Sequence, residues 1–514
     1  MAEEVLQPLQ RPIYPERPAF TILMGCVAGL LAFDSPRVLL RCLILLAAGL
    51  LLLGLSLIPA GRIRKHSGSF RILGFVSLFG AVFGFYAAER TRPALLFPDE
   101  VTLPARRVLL LYPVASHSGS RPQYAAEAEI GGEWVSLLLR PADGKRVKEE
   151  YGSQAACDLR LSSIATGTSY HRYLLSEGYI ATGTFLALED PRPSARPPLI
   201  SRLQAFREKL ALAFTSRTSE LLSPKEQGLI LALSLGDRSR LDPEVREDFT
   251  NAGLAHVMAV SGYHLGIVFL LLGLLLNRLL WRHSLRIPRH LLLFLGILLY
   301  TLLSGGATAT VRALVMSTLA LLASALGRRT DAVQLLSLTM LFFLFLNPFA
   351  YLSVGLLLSI AAVWGILTFL PLFERLIRPE GFLLRQLRDA FFVTVSAQLA
   401  LFPLLFLFFQ KVELSVFWSN IPLVFLSMLL IPYGLVVLLI TLPAGGLLPD
   451  LFYLPLRPLS EMMLAITGYF GSEMQALAVT WEWDLIQAAL CYAALGLGYH
   501  YLAGCYNHRL IRQA

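Results

Sequence analysis

The sequence predicts a polytopic α-helical membrane protein carrying a small extracytoplasmic β-barrel, and three observations predict it. The 514-residue chain is 55% hydrophobic and only 15% charged, with its apolar residues gathered in near-continuous runs of membrane-spanning length. The longest polar interval, residues 90–198, breaks instead into short alternating segments. Basic residues concentrate in short loops between the runs, so the net charge of +9 sets orientation and by itself says little about a nucleic-acid partner. A soluble globular protein is excluded.

The first runs lie at 20–33, 38–58 and 72–88. No cleavable leader precedes them, so the first is expected to stay in the membrane. Arg62, Arg64, Lys65 and Arg71 make the loop 61–71 cytoplasmic, which brings the chain outside near Glu89. Expected divisions are residues 1–89 for the first helices, 90–198 for the β module, 199–252 for interfacial helices, 253–505 for a polytopic domain and 506–514 for a basic cytoplasmic tail. Cys26, Cys42, Cys157, Cys491 and Cys505 are scattered without a CxxC spacing, and imply neither a disulfide framework nor a zinc knuckle.

Within the β module, residues 124–130 and 133–140 alternate around Gly131-Gly132, a pair suited to a two-residue hairpin. Residues 107–112, 156–162 and 179–188 supply further strands. Five short strands suit a partly open OB-like barrel, which serves as a binding platform in some proteins and as plain structure in others. Tyr112, Tyr124, Trp134, Tyr170 and Tyr173 are candidates for stacking on bases or for the β core. The linker DPRPSARPPL closes the module.

Residues 201–222 read as an amphipathic helix at the outer membrane boundary, with Leu203, Phe206, Leu210, Ala213 and Phe214 at helical spacing. In SPKEQGLILALSLGDRS, Ser223 caps a helix, Pro224 takes its first position and Gly236 stops it; Asp242 repeats the start before Pro243. The central stretch, residues 251–276, is NAGLAHVMAVSGYHLGIVFLLLGLLL. Arg278, Arg282, Arg286 and Arg289 follow it and place its end inside. Residues 291–303, SGGATAT and 311–326 read as one discontinuous span, which is tolerated only beside protein or a wet cavity. Apolar runs at 332–346 and 352–370 flank Asn347-Pro348, and 391–409 returns outward after the basic loop 374–389. Residues 411–419 form an outer loop; 421–442, holding Pro422 and Pro432, either cross or dip and return, and 459–479 accordingly cross back or lie on the surface. Residues 485–503 run inward.

The polar groups in these runs carry whatever chemistry the chain has. His256 and His264 stand eight residues apart, roughly 80° around an ideal helix, with Ser261-Gly262 between them as a place to bend. Two histidines without an adjacent carboxylate fall short of a metal site. They are packed, hydrogen-bonded residues, or Ser261 is a nucleophile with His264 or His256 as its base, although no GxSxG elbow is present. Arg312 faces a cavity or snorkels from a helix end. Asp237 and Arg238 form a surface pair or the lip of a conduit, and Ser359, Gln398 and Asn420 fit interhelical hydrogen bonding.

LSLGDRSRLDPEVREDFTNAGLAHVMAVSGYHLGIV resembles the ordered motif of the ComEC family of bacterial competence proteins. YTLLSGGATATVRALVM, NPFAYLSVGLLLSIAAVWGIL, VSAQLALFPLLFLFF and SNIPLVFLSMLLIP follow in family order, and RYLLSEGYIATGTF is similar to the end of the family's extracytoplasmic domain. The resemblance marks Gly236, Asp237, Arg238, Gly253, His256, Ser261, Gly262, His264, Gly266, Gly305, Arg312, Ser359, Gln398, Pro403 and Asn420. It implies an inner-membrane channel that passes one strand of transforming DNA inward, with no catalytic residue, cofactor or metal. Thr308 stands where the family often has proline and Leu357 where it has glutamine. The chain ends at Ala514 without an HxHxDH run, so the nuclease is expected to be a separate protein. No Walker motif is present, so motive force is expected from a cytoplasmic helicase or translocase, with an extracytoplasmic DNA receptor, single-stranded DNA and membrane lipid as the other partners and the oligomeric state left open. An intramembrane serine hydrolase, or a transporter of another anionic polymer or lipid, are the alternatives.

Overall fold

The computed structural model describes residues 76, 82–83, 86–87 and 100–513, except 115–122, 131–132, 143–152, 165–168, 186–188, 194–198, 259, 283–284, 329–330, 377–380, 445–449 and 473–477. The expected runs at 20–33, 38–58 and most of 72–88, with their basic loop, lie outside the described residues. The chain divides into two compact units, Met1–Ser194 with Leu326–Leu357, and Ala195–Ala325 with Leu358–Ala514.

The first unit contains the barrel. Its strands are β1 (Glu100–Val114), β2 (Gln123–Ile130), β3 (Glu133–Pro141), β4 (Ser153–Ser163), β5 (Ala181–Phe185) and β6 (Glu189–Pro193), with helix α1 (Ser169–Ser176) between β4 and β5. The order β1-β2-β3-β5-β4 closes through a β1–β4 pairing, β3 and β5 being parallel, which gives a five-strand OB-like barrel with β6 added on β4. Alternation builds its core: Leu137 and Leu139 of β3 and Leu159 and Leu161 of β4 point inward. Ile130 stands opposite Glu133, so Gly131-Gly132, themselves outside the described residues, span a two-residue connection.

The barrel corrects one expectation, adds a helix and decides between two readings of Tyr124. The linker DPRPSARPPL begins with a strand, because Pro191 and Pro193 are tolerated where β6 pairs only with β4. The interval before β5 contains α1. Tyr124 is buried in the core, edge-on to Phe185, and is no stacking platform, whereas Trp134 and Tyr173 are exposed. In the same unit, α9 (Ala332–Leu346) leads into a 3-10 turn (Pro348–Leu352), and Asn347 Nδ2 donates to the carbonyls of Leu175 and Ser176 at 2.9 and 3.1 Å.

The second unit is helical. Its elements before α9 are α2 (Leu199–Thr218), α3 (Pro224–Leu235), α4 (Pro243–Asn251), α5 (Ala255–Met258), α6 (Gly262–Leu279), α7 (Arg286–Leu303) and α8 (Thr308–Ala325). After α9 come α10 (Val354–Leu376), α11 (Phe382–Phe409), β7 (Lys411–Glu413), α12 (Val416–Ala444), α13 (Leu456–Ser472), β8 (Ala478–Thr480) and α14 (Leu485–Gln513). Segments of α6, α7, α8, α10, α11 and α12 are long and apolar enough to cross a membrane.

The core of this unit forms where α3, buried along most of its length, is covered by α2, α4, α12 and α13. Gly434 suits the close approach of α12: a Cβ there would lie 2.5 Å from Ser234 Oγ of α3, and that hydroxyl would have to turn aside. On α2, Phe206 is 39% exposed while Leu210, Ala211 and Phe214 are buried, so the inward stripe is rotated from the one its spacing predicts. The expected discontinuous span at 291–326 is instead two full helices, α7 and α8. Left-handed Gly305 (φ 84°) and Gly306 (φ 64°) fold them into a packed hairpin. Residues 421–442 belong to one uninterrupted helix, and β7 pairs with β8, which returns the chain after α13 to the level where α12 begins. The tail is helical as far as Gln513.

Candidate functional site

Helix ends of the second unit converge on one place. Helix α3 stops because Gly236 turns left-handed at φ 72° and its N–H closes on the carbonyls of Ala232 and Leu231. A Cβ there would lie 2.8 Å from Val260 Cγ2 and 2.9 Å from the Ser304 carbonyl oxygen, so glycine lets the end of α3 meet both the approach to α6 and the end of α7. Asp237 follows as a buried cap: its carboxylate accepts from the Ser239 N–H at 3.1 Å and hydroxyl at 2.6 Å. It also faces Arg240, which reaches Glu208 of α2 at 2.6 Å. These contacts are local architecture, and they leave Arg238 exposed beside them.

The central run breaks between α5 and α6. Ser261 is the N-cap of α6, its Oγ accepting the Tyr263 N–H at 3.3 Å. His264 Nδ1 accepts the Ser261 N–H at 3.3 Å and stands 3.0 Å from Ser261 Oγ. This is a capping box with histidine where glutamate or glutamine is usual. Accepting that N–H requires a neutral ring with its proton on Nε2. Nε2 is buried and has no hydrogen-bond partner among the described residues. The ideal-helix angle between the two histidines does not apply, because the break puts them on different helices.

Arg238 and His256 are the electrostatic neighbours of His264. His256 keeps accessible surface, yet protein atoms surround it and hold its imidazole below the ordinary value, against a backbone hydrogen bond to Gly253 that raises it. Gly262 lies against α8, where a Cβ would sit 3.4 Å from Ala313 Cβ, and Arg312, the preceding residue, is only 8% exposed. Gly305, in the α7–α8 turn, abuts the Arg207 guanidinium of α2. Gly266 is exposed on α6 with open space beside it.

A second polar seam runs between α11 and α12. Asn420 Nδ2 donates to Thr394 Oγ1 at 2.8 Å. Gln398, one turn along the same face of α11, has a buried Oε1 without a partner among the described residues. Tyr263 joins the seams, its hydroxyl donating at 2.8 Å to the carbonyl of Val424, one turn past Asn420. Ser359 is half-buried in α10, and among the described residues no hydrogen bond joins it to either seam.

The structure therefore brings Gly236, Asp237, Arg238, His256, Ser261, Gly262, His264, Gly305 and Arg312 to one group of helix ends, and Gln398 and Asn420 to a neighbouring seam. Sequence reasoning missed Arg207, Tyr263 and Thr394. Tyr263, flanked by the selected Gly262 and His264, is the one a local signal reaches. Among the described residues no three of His, Cys, Asp or Glu come together to hold a metal ion.

Residues 233–504 match the family described as Competence protein. The chain is similar to ComE operon protein 3 of Bacillus subtilis, 29% identical over 236 residues, or 46% of this chain and 28% of that protein. It is similar to Recombination protein 2 of Haemophilus influenzae, 29% identical over 277 residues, 52% of this chain and 34% of that one. It is likewise similar to Competence protein ComA of Neisseria gonorrhoeae, 29% identical over 260 residues, 48% of this chain and 36% of that one. The chain spans about a third of the length of these curated relatives. No solved structure matches.

Proposed function

The chain belongs to the competence protein family, and from that premise we propose that it conducts single-stranded DNA through the cytoplasmic membrane, where it is a multi-pass protein, during natural transformation. The observation that carries this reading is the buried, unpaired Nε2–H of His264 at the start of span-length α6, in the same convergence of helix ends as buried Arg312.

A polyanion crossing a bilayer needs donors for its phosphates, but none that hold it for long. A neutral imidazole N–H supplies a directional donor without a fixed charge. The starts of α6 and α8 add the positive ends of two helices. Arg312 and Arg238 supply cationic charge, and the amides of Gln398 and Asn420 give further uncharged contacts along the path. Gly262 and Gly266 keep its wall low, and Ser359 lines a later stretch. Asp237 acts by holding the end of α3 in place. In this scheme the chain is a passive conduit, and a cytoplasmic helicase or translocase draws the strand inward. A separate nuclease removes the other strand, and an extracytoplasmic receptor delivers the duplex.

The 3.0 Å contact between Ser261 Oγ and His264 Nδ1 favours a second reading, an intramembrane serine hydrolase. The capping box accounts for the same contact, and the far ring nitrogen has no orienting acceptor among the described residues.

Deleting the gene from a transformable host tests the proposal. Label from radioactive DNA is expected to bind the cell but fail to reach the cytoplasm, with recovery on complementation. Undiminished cytoplasmic label in the deletion strain contradicts it.

A further inference from the structure

A cleft of about 280 Å³ opens between α6 and α7, toward the end of the pair opposite Ser261. Phe269, Leu274 and Leu293 give it apolar walls, and Asn277 and Arg289 stand at its polar mouth. Gly273 is part of its lining, and a Cβ there meets nothing within 4 Å.

The polar groups around the mouth divide by whether they are already engaged. His290 uses both ring nitrogens, Nδ1 with the Arg286 carbonyl at 2.6 Å and Nε2 with the Ser324 hydroxyl at 3.2 Å. Arg286 is held by the Ser324 carbonyl. Arg289 has no ion-pair partner among the described residues. The end of α6, the connection and the start of α7 together carry Arg278, Arg282, Arg286 and Arg289 and no Asp or Glu, which by the positive-inside rule puts this end of the pair at the cytoplasmic face. Trp281, 75% exposed on that connection, suits the headgroup level of a bilayer. The start of α7 has no side-chain cap, so its positive end adds to the same field.

We propose that this cleft binds an anionic phospholipid of the cytoplasmic leaflet, its phosphate held by Arg289 and Asn277 and one acyl chain lying against Phe269, Leu274 and Leu293. The composition matches the occupant: an apolar cleft ending in positive charge on the side that the positive-inside rule gives to the cytoplasm. The lipid pins the ends of α6 and α7 together; Phe269 and Gly273 follow Gly266 by one and two turns on the same face of α6, so the cleft adjoins the proposed DNA path, but the proposal rests on the cleft's own residues and not on that reading.

The full chain, purified in detergent, is titrated with fluorescent phosphatidylglycerol and, in parallel, fluorescent phosphatidylcholine, with soluble glycerol phosphate as competitor. Wild type is expected to prefer phosphatidylglycerol by about tenfold, Arg289→Ala to lose that preference, and Gly273→Leu, whose Cβ meets open space and whose longer side chain intrudes on the cleft, to lose both lipids. Glycerol phosphate is expected not to compete. The proposal is overturned if wild type binds the two lipids equally, if Arg289→Ala keeps the preference, if Gly273→Leu binds as wild type, or if glycerol phosphate displaces the lipid. Thermal unfolding of both variants near the wild-type temperature certifies the comparison; should Arg289→Ala unfold early, Arg289→Gln takes its place.

Discussion

At the start of α3, Ser223 and Glu226 close a capping box that uses both carboxylate oxygens. Oε2 accepts the Ser223 N–H at 2.7 Å and Oε1 accepts the Ser460 hydroxyl of α13 at 3.1 Å. At the start of α6, Ser261 and His264 close a box of the same form with one ring nitrogen and leave the other buried without a partner among the described residues. Both third-position residues are buried. The first box is satisfied and ties helix to helix. The second keeps a donor in reserve, which costs stability unless something else uses it. The residue type makes the difference: a carboxylate only accepts, whereas a neutral imidazole that accepts at Nδ1 must donate at Nε2.

The comparison breaks most visibly at its third-position residues. His264→Ala removes cap and donor together, and uptake of labelled DNA into the cytoplasm is expected to fall roughly 100-fold, as for loss of a hydrogen bond to a charged group. Glu226→Ala is expected to cost about 2 kcal/mol in thermal unfolding, because the Ser223 N–H loses its acceptor and Ser460, left with the carbonyls of its own helix, loses its tie to α3, while uptake per folded molecule holds steady. Gly236→Ala strains a left-handed residue and pushes against Val260 and the Ser304 carbonyl, so a loss of about 2 kcal/mol is expected, with lower uptake as the end of α3 shifts.

Smaller effects sharpen the reading of Ser261. Ser261→Ala is expected to cost about 1 kcal/mol and a modest share of uptake, whereas Ser261→Asn, also a good cap, is expected to restore both. A hydrolase would lose all activity in both variants, since neither keeps the hydroxyl.

Much of this architecture is legible in the chain because it is local. Ser223, Pro224, Gly236 and Asp242 announce the bounds of α3 and α4, and each does what its residue type dictates. The Ser261-Gly262 break is equally local. Partners supplied by distant segments leave no such mark: Thr394 beneath Asn420, Val424 beside Tyr263 and Arg207 against Gly305 are set by packing of helices far apart in sequence. SGGATAT shows the limit of reading glycines alone. Two glycines announce a break in a helix, but only their joint left-handed conformation turns that break into a hairpin between two full helices. The strand β6 was hidden by its prolines, which are tolerated at an edge.

The central claim is that His264 serves as cap and neutral donor at once, and the pair His264→Gln and His264→Glu separates those roles with side chains of nearly equal size. Both rebuild the capping box, but only glutamine offers an uncharged N–H beyond it. Labelled-DNA uptake, normalised to folded protein in the membrane, is predicted to survive largely in the glutamine variant and to be lost in the glutamate variant. Equal uptake in the two would contradict the account and leave His264 as a cap alone.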